Sequence, residues 1–235
     1  YPRDWLDKKL AIEKSHRQEK GRELVWFTLE GFFWFPRALF GIEQHMYAFY
    51  DQPDLIHRIN EDILEFNLAS LDQVCQYCVP KFTTFAEDMS YNHGPMLSKE
   101  CFDQFVAPYY HKMVDEIKKR RILPFVDSDG DVHKLIPWLI EAGIEGILPL
   151  ERMAGVNVNK IRHDYPKFKM LGGFDKTVIH CGKDAVRSEF ERILPAMKSG
   201  GYVPGVDHQT PPDVSLNNYK DFVALFREYA HKAVA

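Results

Sequence analysis

Phe125-Val126-Asp127-Ser128-Asp129-Gly130-Asp131-Val132-His133-Lys134 sets three carboxylates and an imidazole directly behind a short apolar run. The run begins at Ile122 and reads as a buried strand. The polar residues behind it decide between a metal-binding loop and one step of a strand–loop–helix series. Asp127, Asp129 and Asp131 have the spacing that opens a calcium loop of the EF-hand type. The sixth loop position, however, is Val132 where the sharp turn needs glycine, and the twelfth is Trp138 where a bidentate glutamate closes the coordination shell. The EF-hand reading fails on both positions. Asp131 is instead expected to cap a helix over 132–142 that ends at Gly143. Side chains two apart at a strand end point the same way, so Asp127 and Asp129 are expected to project together. A cation or a shared proton then has to offset their repulsion. His133, one turn into the helix, is expected at the surface.

The same pattern repeats along the chain. Short β-rich runs occur at 24–29, 82–86, 122–126, 146–150, 168–171 and 202–204. Helical periodicities lie between and after them, over 52–78, 98–120, 132–142, 183–198 and 215–232, with Ser98 and Ser215 placed as N-caps. Near-continuous apolar strands alternating with helices predict a parallel sheet covered on both faces, an α/β fold. Nearly every run empties into polar chemistry: Glu30, then Glu87 and Asp88, Asp127 and Asp129, Glu151, Asp175, and finally Asp207 and His208. Chemistry spread over so many strand ends predicts the C-terminal face of a (β/α)8 barrel. An open doubly wound sheet would concentrate it at one switch point behind a glycine-rich phosphate loop, and no such loop is present in the sequence. About six units are countable where a closed barrel has eight. The expectation is therefore a single barrel domain over 1–235, N-terminally shortened by one or two βα units, its barrel completed by a second copy, by a companion chain or by the first strands of a longer polypeptide.

Composition narrows the function. With 235 residues and 45% hydrophobic content the chain can bury a sizeable core. A formal net charge of −4, with Lys and Arg scattered, gives no footprint for nucleic acid or an anionic membrane. No apolar run reaches the roughly 20 residues of a membrane span, and the charged opening stretch has no signal-peptide core, so a cytoplasmic protein is expected. Cys75 and Cys78 form a CxxC, but they fall on the apolar face of the 52–78 helix and no second pair completes a zinc site. Buried thiols on a helix are the expectation for them.

The residues that open chemistry cluster behind the strands. Phe33, Trp34 and Arg37 follow the first strand together with Glu30, where two aromatic walls and a guanidinium could hold a flat, anionic group. Tyr91, Asn92 and His93 lie in the loop after Glu87, where His93 is either a general acid or a turn residue. Asp175 either caps a helix or touches substrate, and Glu151 ends the fourth run. His208 sits in Pro204-Gly205-Val206-Asp207-His208-Gln209-Thr210-Pro211-Pro212, where the prolines stiffen the loop that presents it.

Taken in order, Glu87-Asp88-Met89-Ser90-Tyr91-Asn92-His93-Gly94-Pro95, Phe105-Val106-Ala107-Pro108-Tyr109-Tyr110, Gly172-Gly173-Phe174-Asp175-Lys176 and Gly201-Tyr202-Val203-Pro204-Gly205-Val206-Asp207-His208 resemble the uroporphyrinogen decarboxylase superfamily, which includes corrinoid-linked methyltransferases. The resemblance implies a (β/α)8 barrel enzyme acting on a small molecule. In its methyltransferase branch zinc is held by a His-x-Cys and a later Cys, and those positions fall here on Asp127-Ser128-Asp129 and His208. Two carboxylates and an imidazole form a harder donor set. The expectation is a divalent metal, zinc foremost, on Asp127, Asp129 and His208, with Glu87, His93 and His208 catalytic. Glu30, Phe33, Trp34, Arg37, Tyr91, Asn92, Glu151 and Asp175 would bind substrate, and a corrinoid would be supplied by a partner protein. The alternatives are a metal-free decarboxylase of uroporphyrinogen or a related tetrapyrrole acid, in which a barrel carboxylate stabilises a protonated pyrrole and His208 manages the proton, and a non-catalytic barrel subunit.

Overall fold

The computed structural model describes residues 7–235; the first six residues of the charged opening stretch lie outside the described residues. In chain order the elements are α1 (Lys8–Glu19), β1 (Trp26–Glu30), α2 (Trp34–Phe40), α3 (Ile42–Asp51), α4 (Pro53–Cys75), β2 (Phe82–Ala86), β3 (Ser90–Tyr91), β4 (Gly94–Pro95), α5 (Lys99–Phe105), α6 (Ala107–Lys119), β5 (Leu123–Asp127), α7 (Leu135–Glu141), β6 (Gly146–Leu148), α8 (Val158–Asp164), β7 (Lys169–Phe174), a 3-10 helix (Lys176–Cys181), α9 (Lys183–Lys198), β8 (Tyr202–Val206) and α10 (Leu216–Val234). The fold is α/β, as the alternation predicts. No helix among the described residues is long and apolar enough to cross a membrane.

The chain forms two compact units. The first holds the described residues up to Met89 together with Met96–Asp127 and Pro137–Glu145. In it β1 pairs parallel with β2 and β2 with β5, Trp26 opposite Phe82 and Thr84 opposite Phe125. Phe82, Thr83, Thr84 and Phe85 are all buried, as a central parallel strand requires. Thr28 and Thr84 share a hydroxyl hydrogen bond of 2.9 Å across the strands. The core gathers Phe32, Leu71, Phe85, Tyr110, Met113 and Ile117. The single helix read over 98–120 is two, α5 and α6, broken at Val106, because Pro108 has no N–H to continue the ladder and sits instead in the first turn of α6. Ser98 does cap α5, its side chain accepting from the Cys101 N–H at 3.2 Å.

The second unit holds Ser90–Pro95, Ser128–Ile136 and Gly146–Ala235. Here β6 pairs parallel with β7 and β7 with β8, Gly146 opposite Lys169 and Met170 opposite Tyr202. β3 and β4 form a small antiparallel hairpin. Phe174 of β7, Phe190 of α9 and Phe222 of α10 are buried in mutual ring contact, with centroids 4.6 to 5.9 Å apart. The helix expected from 132 begins only at Leu135, so Asp131 is not its cap. Its carboxylate accepts from the His133 N–H at 3.1 Å and lies 2.7 Å from His133 Nδ1, a local turn that closes before the helix starts. His133 is half-buried by that pairing instead of lying free on the surface.

Candidate active site

In the second unit β6, β7 and β8 run parallel, so their ends share one edge, and the residues just past them form a connected polar cluster. Asp207, the residue after β8, is fully buried. One carboxylate oxygen accepts from the Arg152 N–H at 2.8 Å and the other from the Lys176 N–H at 3.3 Å. One side chain thus clasps the segments leaving β6 and β7. Burial pushes the Asp207 carboxyl above its ordinary range, against the pull of those two N–H groups and the Lys176 charge. The Lys176 ammonium stands 3.5 Å from Asp207 and 3.7 Å from Glu151, with only 15% of its side chain exposed. Glu151 in turn accepts from the Gly130 N–H at 2.9 Å, tying the Ser128–Ile136 segment to the same cluster.

Gly130 is required where it stands. Its φ is +82°, and a Cβ there would lie 2.7 Å from the Tyr91 backbone. The close approach is completed by the Asp131 N–H, which donates to the Tyr91 carbonyl at 2.9 Å. Beside this turn Asp129 Oδ2 lies 3.7 Å from His208 Nε2, with 37% and 42% of the two side chains exposed. These are two of the three residues expected to share a metal. The third, Asp127, ends β5 in the first unit, where its carbonyl accepts from the Glu87 and Asp88 N–H groups. Among the described residues no group of three or more His, Cys, Asp or Glu side chains is placed to hold a metal ion. Asp129 and His208 supply two donors, one fewer than the three protein ligands of a catalytic zinc.

Glu87, expected to handle protons, is buried in the first unit and fully engaged. It accepts from the backbone N–H groups of Phe32 (2.9 Å), Phe33 (2.8 Å) and Trp34 (3.1 Å) and from the Tyr110 hydroxyl. These N–H groups open helix α2, so the carboxylate holds the turn after β1 in place. Burial pushes its carboxyl up to about 7, while Tyr110 and the three N–H groups pull it down. Gly31 leaves the necessary room, since a Cβ there would lie 2.5 Å from the Glu87 carboxylate.

The other expected site residues divide. Phe33 is fully buried against His45 and Phe49, a core position with no surface to offer a ligand. Arg37 stacks over the Trp34 ring at 4.3 Å and donates to the Asp88 carbonyl at 2.8 Å. Glu30 has its backbone held at both ends by the Asn67 amide, at 2.9 and 3.1 Å, and helps line a mostly apolar cavity of about 290 Å³ with Phe35, Leu39, Ile59 and Ile63. Tyr91, Asn92 and His93 form the exposed tip of the β3–β4 hairpin, where Tyr91 and His93 meet edge to face. Asp175 caps the 3-10 helix, its carboxylate accepting from the Thr177 N–H at 2.9 Å. Sequence reasoning passed over Lys176 and Asp207 as site residues, and Asn67 and Tyr110 as supports. The signal available for the first two was their position, directly behind β7 and β8.

The family model of Uroporphyrinogen decarboxylase (URO-D) matches residues 37–229. A curated uroporphyrinogen decarboxylase from Ruthia magnifica subsp. Calyptogena magnifica is 21% identical over 187 residues, covering 78% of this chain and 52% of that protein. The chain thus spans about half the length of the curated relative it matches. Among solved structures, the citrate synthase SbnG aligns at 14% identity over 94% of this chain and 76% of its own, with a TM-score of 0.34. The three parallel strands of each unit, with helices between them, fit the α/β barrel class expected from the sequence. From the match over residues 37–229, the chain belongs to the uroporphyrinogen decarboxylase family.

Proposed function

We propose that the chain carries the proton-handling residues of a small-molecule decarboxylase, acting on a tetrapyrrole or a related carboxylic acid without a metal. The observation that carries this reading is the pair formed by His208 Nε2 and Asp129 Oδ2, 3.7 Å apart and both reachable from solvent. In a decarboxylation the bond from the substrate carbon to its carboxylate breaks, carbon dioxide leaves, and the electron pair stays on the carbon until a proton arrives. An imidazole at the edge of a strand-end cluster suits delivery of that proton, and the carboxylate beside it can steady positive charge on a protonated pyrrole. Lys176, Glu151 and Asp207 keep the surrounding loops in register, so the pair is presented from an ordered frame.

Methyl transfer from a corrinoid carried by a partner protein, with a divalent metal, is the competing reading. It finds less support because, among the described residues, no group of three or more His, Cys, Asp or Glu side chains is placed to hold a metal ion. The test uses the whole protein that contains this chain, purified without chelators. Porphyrinogen carboxylates are assayed for carbon dioxide release, methyl transfer from a methylated corrinoid is assayed in parallel, and bound metal is measured. The expected result is carbon dioxide release that falls on the order of 100-fold in His208→Ala and by a smaller factor in Asp129→Ala. Stoichiometric metal that both substitutions remove, together with methyl transfer, would overturn the proposal in favour of the metal reading.

A further inference from the structure

Away from the strand-end cluster, where β7 and β8 begin, Arg162 of α8 is buried, with 8% of the residue exposed. One terminal nitrogen, Nη1, donates to the Pro166 carbonyl in the segment that leaves α8. Nε and Nη2 are also buried, and among the described residues neither has a hydrogen-bond partner. Burial pulls the guanidinium below its ordinary value, and no carboxylate among the described residues raises it in return. Nε and Nη2 together form one planar edge of the guanidinium, the edge that grips two oxygens of one anion at once. Charged donors left buried and unpaired are costly, so this edge calls for an anion that the described residues do not supply. Gly201 packs directly against it: a Cβ there would lie 3.4 Å from Nη2 and 3.9 Å from Nη1. Gly200 and Gly201, at φ +75° and +64°, are both exposed, and a Cβ at Gly200 would meet nothing within 4 Å. On this side a glycine main chain, with no side chain upon it, lies between the guanidinium and solvent. The flanking segments are basic: Lys167 follows Pro166, and Lys198 ends α9 just ahead of the glycine turn, both exposed. Asp164, the acid nearest in sequence, is already paired with Lys160 and His163.

We propose that Arg162 and the Gly200–Gly201 turn over it form a binding site for a phosphate group, separate from the strand-end cluster. Nε and Nη2 donate to two phosphate oxygens, and Lys167 and Lys198 add charge from the rim. A small displacement of the glycine turn, which no side chain opposes at Gly200, admits the anion to the buried edge. A phosphate dianion matches an arginine backed by two lysines better than a singly charged carboxylate does, while still offering the fork two oxygens.

The experiment titrates inorganic phosphate into the full chain by calorimetry at constant ionic strength, with acetate as the comparison anion. Saturable binding of one phosphate is expected, weakened at least about tenfold in Arg162→Met and roughly threefold in Lys198→Ala, with acetate at least about tenfold weaker than phosphate. No saturable phosphate binding overturns the proposal. Equal affinity in the parent and Arg162→Met overturns it too, since the anion is then held adventitiously at the surface. Acetate binding as tightly as phosphate rejects the phosphate assignment. If circular dichroism shows Arg162→Met to be unfolded, nitrogen-15 NMR of the parent decides instead. The Arg162 Nε–H resonance must then move with added phosphate and saturate at the affinity that calorimetry gives, and an unmoved resonance rejects the site.

Discussion

Glu87 and His45 lie in the same unit, both buried, and they titrate in opposite senses. Among the described residues His45 has no hydrogen-bond partner on either ring nitrogen, and it is packed against Phe33 and Phe49 at 5.0 and 4.7 Å. Burial first, and then the Arg37 charge, pulls it from 6.5 down to about 4. The unfolded chain therefore binds a proton at this position between those values while the native state does not, and stability rises with pH across that window. For Glu87, raised from 4.5 to about 7, the native state holds the proton that the unfolded chain has lost, and stability falls as pH rises. Each slope approaches about 1.4 kcal/mol per pH unit at full strength, so the two largely cancel where the windows overlap. Urea unfolding at pH about 5 and about 6.5 checks this. His45→Phe should become less stable toward higher pH and Glu87→Gln more stable, while the parent changes little from these two groups. A parent-like pH dependence in both variants rejects the pairing of opposed titrations. At the same scale, Gly130→Ala is expected to cost about 1–3 kcal/mol of the second unit's stability, measured by thermal unfolding, because a Cβ at φ +82° meets the Tyr91 backbone.

Among the elements, legibility in the sequence depends on what holds each one. Strands such as β2 were legible to the residue because an apolar run buried on both faces leaves an unbroken signature. The break between α5 and α6 was hidden because Phe102, Phe105, Tyr109 and Tyr110 are all buried, so apolar periodicity runs straight through the interruption at Val106. At the start of α2 the aromatic pair Phe33 and Trp34 suits a pocket wall and a core equally in the sequence, and Phe33, just ahead of the helix, is core. The strand-end candidates Glu151, Asp129 and His208 could be found from position alone. Position also marks Lys176 and Asp207, behind β7 and β8, but their organising role was hidden, because the Asp207 bonds to Arg152 and Lys176 join residues 55 and 31 positions apart. Caps are the most local case, and Ser215 holds the start of α10 by accepting from the Asn218 N–H at 3.2 Å. Ser215→Ala is expected to lower stability by about 1 kcal/mol in chemical denaturation, with Ser215→Asp restoring it.

Across the whole molecule, the first unit's sheet has β1 paired with β2 alone among the described residues, and Leu24 and Trp26 at that end are 57% and 53% exposed. An edge strand of this kind with apolar side chains outward is a template for further pairing. We expect concentration-dependent association of the chain in light scattering, reduced by Trp26→Lys; a strictly monomeric parent over the whole concentration range contradicts it. The second unit carries a different consequence, rooted in the groups that Asp207 grips. Its two oxygens hold main-chain N–H groups, those of Arg152 and Lys176. A clasp on the backbone is indifferent to side-chain identity, so position 152 can be diversified while the loops keep their course, whereas position 176 must also keep an ammonium beside the buried Asp207 and Glu151. Such a frame is a natural starting point for directed evolution: a library randomised at 152 should retain folded members at high frequency, whereas libraries randomised at 176 or 207 should not.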